Sequence, residues 1–295
     1  MNRKIFFSTV ISVVLVVIGV VAFLVNQSSR RTANQATSGN IKVGDYVSFG
    51  SYYSDPILWK CVDTSNGTML LSEYIICMKA YDAAESSQWG KEGGTYTKVV
   101  DGQEYGSKDW KTSNLREWLN SDASKVKFST QPPVKTAVLN GENAYADEPG
   151  FLSNFTDAER SSIKSVSHDG CSDKVYLLSV DEVYKYIGGS GLEIDSARDS
   201  STIRLLTEKA RNNSEFKFNS NWKNDWWYYT RTPHIPDPKD TRVATFGGGY
   251  YYYDNHIFYG VYPGTGIGGV LPALNLKSNI CKSGDGSKEN PWVLK

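Results

Sequence analysis

Apolar and polar positions divide this chain into three stretches. Residues 5–25 form an uncharged run of 21 residues in which only Ser8, Thr9 and Ser12 are polar. At about 1.5 Å per residue, a helix of that length crosses roughly 30 Å of hydrocarbon, whereas a secretory signal needs an apolar core of only about 7–15 residues. The pattern predicts a transmembrane anchor at 5–25 behind a short cytoplasmic end at 1–4. A cleaved signal peptide is the alternative, weakened by the lack of a clear A-x-A site after Val25. Residues 26–40 (NQSSRRTANQATSGN) are polar and aperiodic and read as a flexible stalk.

From residue 41 onward the apolar positions alternate in short runs. KVGDYVSFGSYY, ILWKCVD and TMLLSEYII read as strands, with Asn66-Gly67 as the hairpin turn between the last two. Helices follow. Leu115, Trp118 and Leu119 share one helical face, and Thr156-x-x-Glu159 and Ser179-x-x-Glu182 are capping boxes, the second opening a helix that stops at Gly188-Gly189. A further helix is predicted over 203–211. The remainder returns to strand-like and loop-like sequence, closing with Pro291-Trp292-Val293-Leu294 as a last strand. Strands at both ends with helices between them predict one α+β domain over 41–295, with 101–109 and 131–151 as insertions and no repeat period.

Charge narrows the partners. The 32 basic and 32 acidic residues cancel, which leaves no electrostatic footprint for nucleic acid. No acid precedes residue 32, so the region beyond the anchor is mildly acidic, as an exported domain can be, although the flanking arginines and lysine nearly tie the orientation count. Three histidines, at 168, 234 and 256, offer little for a metal cage, and Asp285 to Asn290 lacks the ligand spacing of a calcium loop. Neither a metal nor a cofactor is expected.

Catalytic patterns fail one by one. No G-x-S-x-G elbow, P-loop or H-E-x-x-H occurs. His168-Asp169 near Cys171 reads as a solvated loop before a strand at Val175, and Asp181-Glu182 as acids at a helix amino-terminus. Cys61, Cys77, Cys171 and Cys281 allow three pairings. The Asn66-Gly67 turn sets Cys61 opposite a residue near 70 and not Cys77, so that pair is no simple cross-strand bridge; Cys61, in an apolar strand, reads as a small buried hydrophobe, and Cys171–Cys281 stays open as a disulfide. The aromatic residues are more informative. Residues 242–246 alternate as a strand, 247–249 turn, and Tyr250, Tyr251, Tyr252 and Tyr253 return with two rings on each face. These four tyrosines, with Trp226, Trp227 and Arg231 nearby, form the expected ligand-binding surface, because tyrosine joins a rigid contact area to a hydrogen-bonding hydroxyl.

Several stretches taken together resemble the domain-of-unknown-function 6273 family over about residues 43–294: GDYVSFGSYY with ILWKCVD, TSNLREWLN, DKVYLLSVDE, YYTRTP, GVLPALNL and SGDGSKENPWVL. The family is similar to the C-type-lectin-like fold in its formylglycine-generating, sulfatase-modifying-factor version, and its members are commonly anchored or secreted surface proteins. The resemblance thus implies a C-type-lectin-like domain at the cell surface. Two blocks depart from the family pattern. Tyr228-Tyr229-Thr230-Arg231-Thr232-Pro233 stands where W-W-L-R-S-P is usual, and Gly269-Val270-Leu271-Pro272-Ala273-Leu274 has Leu271 where the family has arginine. The combined expectation is a membrane-anchored extracytoplasmic module that binds a protein or glycan, with an extracytoplasmic enzyme (a formylglycine-type oxidase or an envelope hydrolase) as the alternative.

Overall fold

A strand buried on both faces must be flanked by other structure, and two such segments organise this molecule. The computed structural model describes residues 39–84, 105–139, 141–188, 202–218, 224–234, 243–247, 258–278 and 281–294. In chain order it begins with β1 (Tyr46–Tyr52), β2 (Asp55–Asp63), β3 (Thr68–Ser72) and β4 (Cys77–Lys79). The middle holds α1 (Asn114–Leu119), α2 (Asp157–Ser162), β5 (Ile163–Lys164), β6 (Val166–His168), β7 (Cys171–Asp173), β8 (Val175–Tyr176) and α3 (Val180–Tyr186). Then come β9 (Arg204–Leu205), α4 (Glu208–Asn213), β10 (Asp225–Pro233), β11 (Val243–Gly247) and β12 (Phe258–Val261). The described chain closes with β13 (Gly268–Val270), β14 (Ala273–Leu276), β15 (Cys281–Ser283) and β16 (Trp292–Leu294).

Every residue of β3, β4, β13 and β14 is buried. β3 pairs antiparallel with β14 (Leu71 opposite Ala273), and β4 continues the same chain direction to pair with β13 (Met78 opposite Gly269). The first pair lies in a larger sheet ordered β15-β16-β1-β2-β3-β14-β5, with β8 also on β14, and the second in a smaller sheet ordered β12-β11-β10-β13-β4. One antiparallel ribbon therefore runs through both sheets, bending between them at residues 73–76 and 271–272. β16 lies parallel to β1, with Val47 opposite Trp292, so the predicted closing strand joins the two ends of the domain.

The α+β, C-type-lectin-like expectation is corrected here. Among the described residues strands hold 34% and helices 17%, with a sheet that curls as a half-barrel. The helices are real but only six or seven residues long, and they act as connectors between strands that pair across long sequence separations. No helix among the described residues is long and apolar enough to cross a membrane. The run at 5–25 lies outside those residues. Gly39 and Asn40, at the end of the predicted stalk, are already docked: Cys281 N donates to Gly39 O at 3.1 Å and Gly39 lies against the Trp292 ring.

Local predictions fared better. Leu115, Trp118 and Leu119 are all buried on α1, and both capping boxes close as reciprocal hydrogen bonds. Cys61 faces Leu70. The helix predicted over 203–211 is displaced: Arg204–Leu205 pair with β10, and Thr207 then caps α4 by accepting from Ala210 N. Cys171 is a free thiol, which removes its pairing with Cys281. The supposed loop at His168-Asp169 is a hairpin, since Asp169 (φ 50°) and Gly170 (φ 77°) form a two-residue left-handed turn that sets His168 opposite Cys171.

Hydrogen bonds from side chains tie the connectors to the sheets. Asn120, capping α1, accepts from Lys174 N and Val175 N and donates to Val175 O. Fully buried Asp173 receives Trp110 Nε1 at 2.9 Å and Arg116 Nε at 2.8 Å. At the centre β10 approaches β13 so closely that a Cβ on Gly268 would stand 1.8 Å from the Tyr229 ring. Gly268→Ala is accordingly expected to destabilise the domain by about 1–3 kcal/mol or more, the range for overpacking a tight core. Urea denaturation of the full chain measures this, and an unchanged midpoint would contradict the packing described.

Candidate functional site

β10 is buried on both faces from Trp226 to Arg231, and that burial decides where three of the expected site residues lie. Trp226, 1% exposed, donates from Nε1 to Ile267 O at 2.8 Å and packs its ring on Phe216 and Phe218 at 5.3 Å. Trp227, 3% exposed, meets the Tyr229 ring edge-on at 5.4 Å. These two indoles are core side chains of the smaller sheet. Tyr250, Tyr251, Tyr252 and Tyr253 lie outside the described residues.

Arg231, 7% exposed, is the centre of a buried polar cluster. Its Nε donates to Asp169 Oδ2 at 2.8 Å, its Nη1 to Leu177 O at 2.9 Å and to the Glu182 carboxylate, and its own backbone N–H to Leu178 O at 3.0 Å. One guanidinium thus fastens β10 to the β6–β7 turn and the first turn of α3. The hydrogen bonds and charge of Arg231 outweigh the burial of Glu182 and hold its carboxyl below the ordinary range; those of Glu182 and Asp169 raise Arg231 in turn. Leu271, where the family usually has arginine, is simply buried among apolar neighbours.

His168 leans on the Tyr176 ring at 4.1 Å, and Tyr176 Oη donates to Asn275 Oδ1 at 2.6 Å. Among the described residues His168 Nε2 is buried with no hydrogen-bond partner. Burial, and next the positive charge of Arg231, depress its pKa against the opposing pull of Glu182, Asp173 and Asp169. The thiols are held protonated. Burial pushes Cys61 and Cys281 up to about 11 and Cys77 up to about 12, and raises Cys171. A thiolate nucleophile needs the opposite environment.

Among the described residues a surface that can receive a ligand lies elsewhere, at the far end of the first hairpin. A cleft of about 180 Å³ opens there, lined by Tyr52, Tyr53, Pro56, Leu58 and Tyr74 and by four polar residues, exposed Asp55 and Lys209, half-buried Thr207 and buried Ser72. Tyr52 and Tyr53 stack obliquely at 4.2 Å. Tyr74 is flanked by Lys288, whose Nζ stands 5.0 Å from the ring and 2.8 Å from Glu73 Oε1. Tyr53 (φ 50°) and Ser54 (φ 67°) occupy the two left-handed positions of the β1–β2 turn, which asparagine and glycine ordinarily fill. The signal for this turn was the polar Ser54-Asp55-Pro56 punctuation between two apolar runs; nothing in the local pattern indicated that its tyrosines would line a cleft.

These features define a predominantly β domain of two sheets sharing one core, with an aromatic-walled cleft on its surface. The chain belongs to the DUF6273 family: the family model described as "Domain of unknown function (DUF6273)" matches residues 65–278. The match starts in the β2–β3 turn and ends after β14, while β1, β2, β15 and β16 complete the same sheet from outside it. Comparison with curated proteins gave no match, and comparison with solved structures gave none.

The depressed pKa of His168 has a direct consequence. The folded state favours the neutral imidazole, so its stabilisation is full above the ordinary value of 6.5 and is lost as pH falls below it toward the lowered folded value. The urea midpoint of the full chain is expected to drop between pH 7.5 and 5.5, and His168→Asn to flatten that drop. An identical pH slope in the variant would contradict this reading.

Proposed function

We propose that the chain is a membrane-anchored, extracytoplasmic binding module that takes a protein or glycan ligand on an aromatic surface. The observation that carries the reading is the open cleft walled by Tyr52, Tyr53 and Tyr74. A concave, mostly apolar surface with a few polar groups at its edge is the general form of a recognition site. Amphipathic tyrosine rings suit either class of ligand because they combine area with hydrogen bonding at little entropic loss. The uncharged run at 5–25 supports the anchor and its length favours retention over cleavage. Protonated thiols argue against an oxidase that works through a thiolate.

Binding of the full-length chain to isolated envelope polysaccharide and to isolated envelope protein tests the reading. Retention on one of the two fractions is expected to fall at least about tenfold in the folded Tyr53→Ala/Tyr74→Ala variant, in line with the weight that aromatic anchors carry in binding. Full retention by that variant, with unchanged circular dichroism, would remove the cleft from the account.

A further inference from the structure

We infer that the cleft is a subsite for a single neutral pyranose ring, stacked on Tyr53 and hydrogen-bonded around its edge by Asp55, Thr207 and Lys209. This inference rests on the binding reading above and narrows it to carbohydrate. Size sets the first limit. A volume of about 180 Å³ is below the roughly 300–1,000 Å³ of sites for drug-sized molecules, so the cleft holds about one ring. The distribution of polarity sets the second. A pyranose has apolar C–H faces and a perimeter of hydroxyls; the cleft is lined by tyrosine, proline and leucine side chains together with exposed Asp55 and Lys209 and half-buried Thr207.

The rim groups are available. Asp55 and Lys209 are exposed, and neither forms an ion pair among the described residues. A carboxylate accepts two hydroxyl protons, an ammonium donates to hydroxyl oxygens, and the Thr207 hydroxyl, which accepts from Ala210 N, keeps its own proton to donate. One acid and one base give the rim no net sign, which favours a neutral ligand over an ionic one.

The turn supplies a further observation. Two consecutive left-handed residues other than glycine or asparagine are unfavourable, and such strain persists where surrounding structure enforces it, often at ligand sites. Here the strained residue is Tyr53, whose ring forms part of the cleft wall.

Saturation-transfer NMR on the full-length chain tests this, with methyl β-glucoside, N-acetylglucosamine and methyl α-mannoside as sugar probes and a triproline peptide as the peptide probe. At least one sugar is expected to receive saturation on its ring C–H protons, with a Kd on the order of 1 mM, as a one-ring contact implies. Tyr53→Gly relieves the left-handed strain, so its Tm is expected to match or exceed that of the parent chain while the sugar signal falls at least tenfold. Asp55→Asn, on the exposed rim, is expected to leave Tm unchanged and weaken binding severalfold, and it stands as an independent test if Tyr53→Gly misfolds. The inference is overturned if no sugar binds, if sugar binding survives both substitutions, or if triproline binds in a Tyr53-dependent way instead. Loss of envelope retention in the tyrosine variants without any sugar signal would remove the carbohydrate claim alone and leave the cleft as a binding site.

Discussion

The whole arrangement depends on one buried antiparallel ribbon, the β3–β4 segment against β13–β14, that belongs to two sheets at once. Its side chains have no solvent face, so each half must be covered by another element, and the remainder of the described fold supplies the cover. β10 lies against β13, with Tyr228 opposite Gly269, at a distance only glycine permits. β5 and β8 share the outer edge of β14. Buried Lys79 at the end of β4 is tolerated because its ammonium pairs with Glu148 at 2.6 Å and lies over the Trp118 and Tyr145 rings at 4.7 and 4.6 Å. An unpaired charge there would be costly by several kcal/mol.

Polar fasteners hold the short helices to this frame. Arg231, Asp173 and Asn120 each bridge elements that are distant in sequence, and each has its partners within ordinary hydrogen-bond reach. The hairpin that bears the cleft is held at its base by β16, at Val47 and Ser48, and by β3, from Trp59 onward, and nearer its tip Gly50 N donates to Glu159 Oε1 and Ser51 Oγ to Asn154 O. A rigid floor of this kind can sustain an unfavourable turn at its tip, and it fixes Tyr53 relative to Asp55 before any ligand arrives. Preorganisation of that sort reduces the entropy lost on binding.

Short-range signals in the sequence were legible wherever the deciding forces are local. Capping boxes close between residues three apart, the Leu115 face follows helical spacing, and the Asn66-Gly67 turn placed Cys61 opposite Leu70, with Gly67 alone adopting positive φ. Fold class was not legible, because two-residue strands such as β5, β8 and β9 have no periodicity of their own and exist only through partners about twenty residues away for β9 and about a hundred for β5 and β8. Trp226 and Trp227 were placed on the ligand surface because aromatic rings are dense near the tyrosine run; a strand buried on both faces also gathers such rings, without alternation. Asp169-Gly170 was a missed hairpin signal of the strongest short-range kind, and at Tyr53-Ser54 the polar punctuation marked a break but the left-handed turn was hidden because its residues contradict its geometry.

That the ribbon makes the two sheets one cooperative unit is tested most directly by native-state hydrogen exchange on the full chain. The account predicts that the amides of Leu70, Leu71 and Leu274 in the larger sheet and of Met78 and Val270 in the smaller exchange only through global unfolding, with one common free energy and one common denaturant dependence. If Met78 and Val270 exchanged with a free energy about 2 kcal/mol or more below that of Leu71 and Leu274, the sheets would be opening separately and the shared ribbon would not be what holds the fold together.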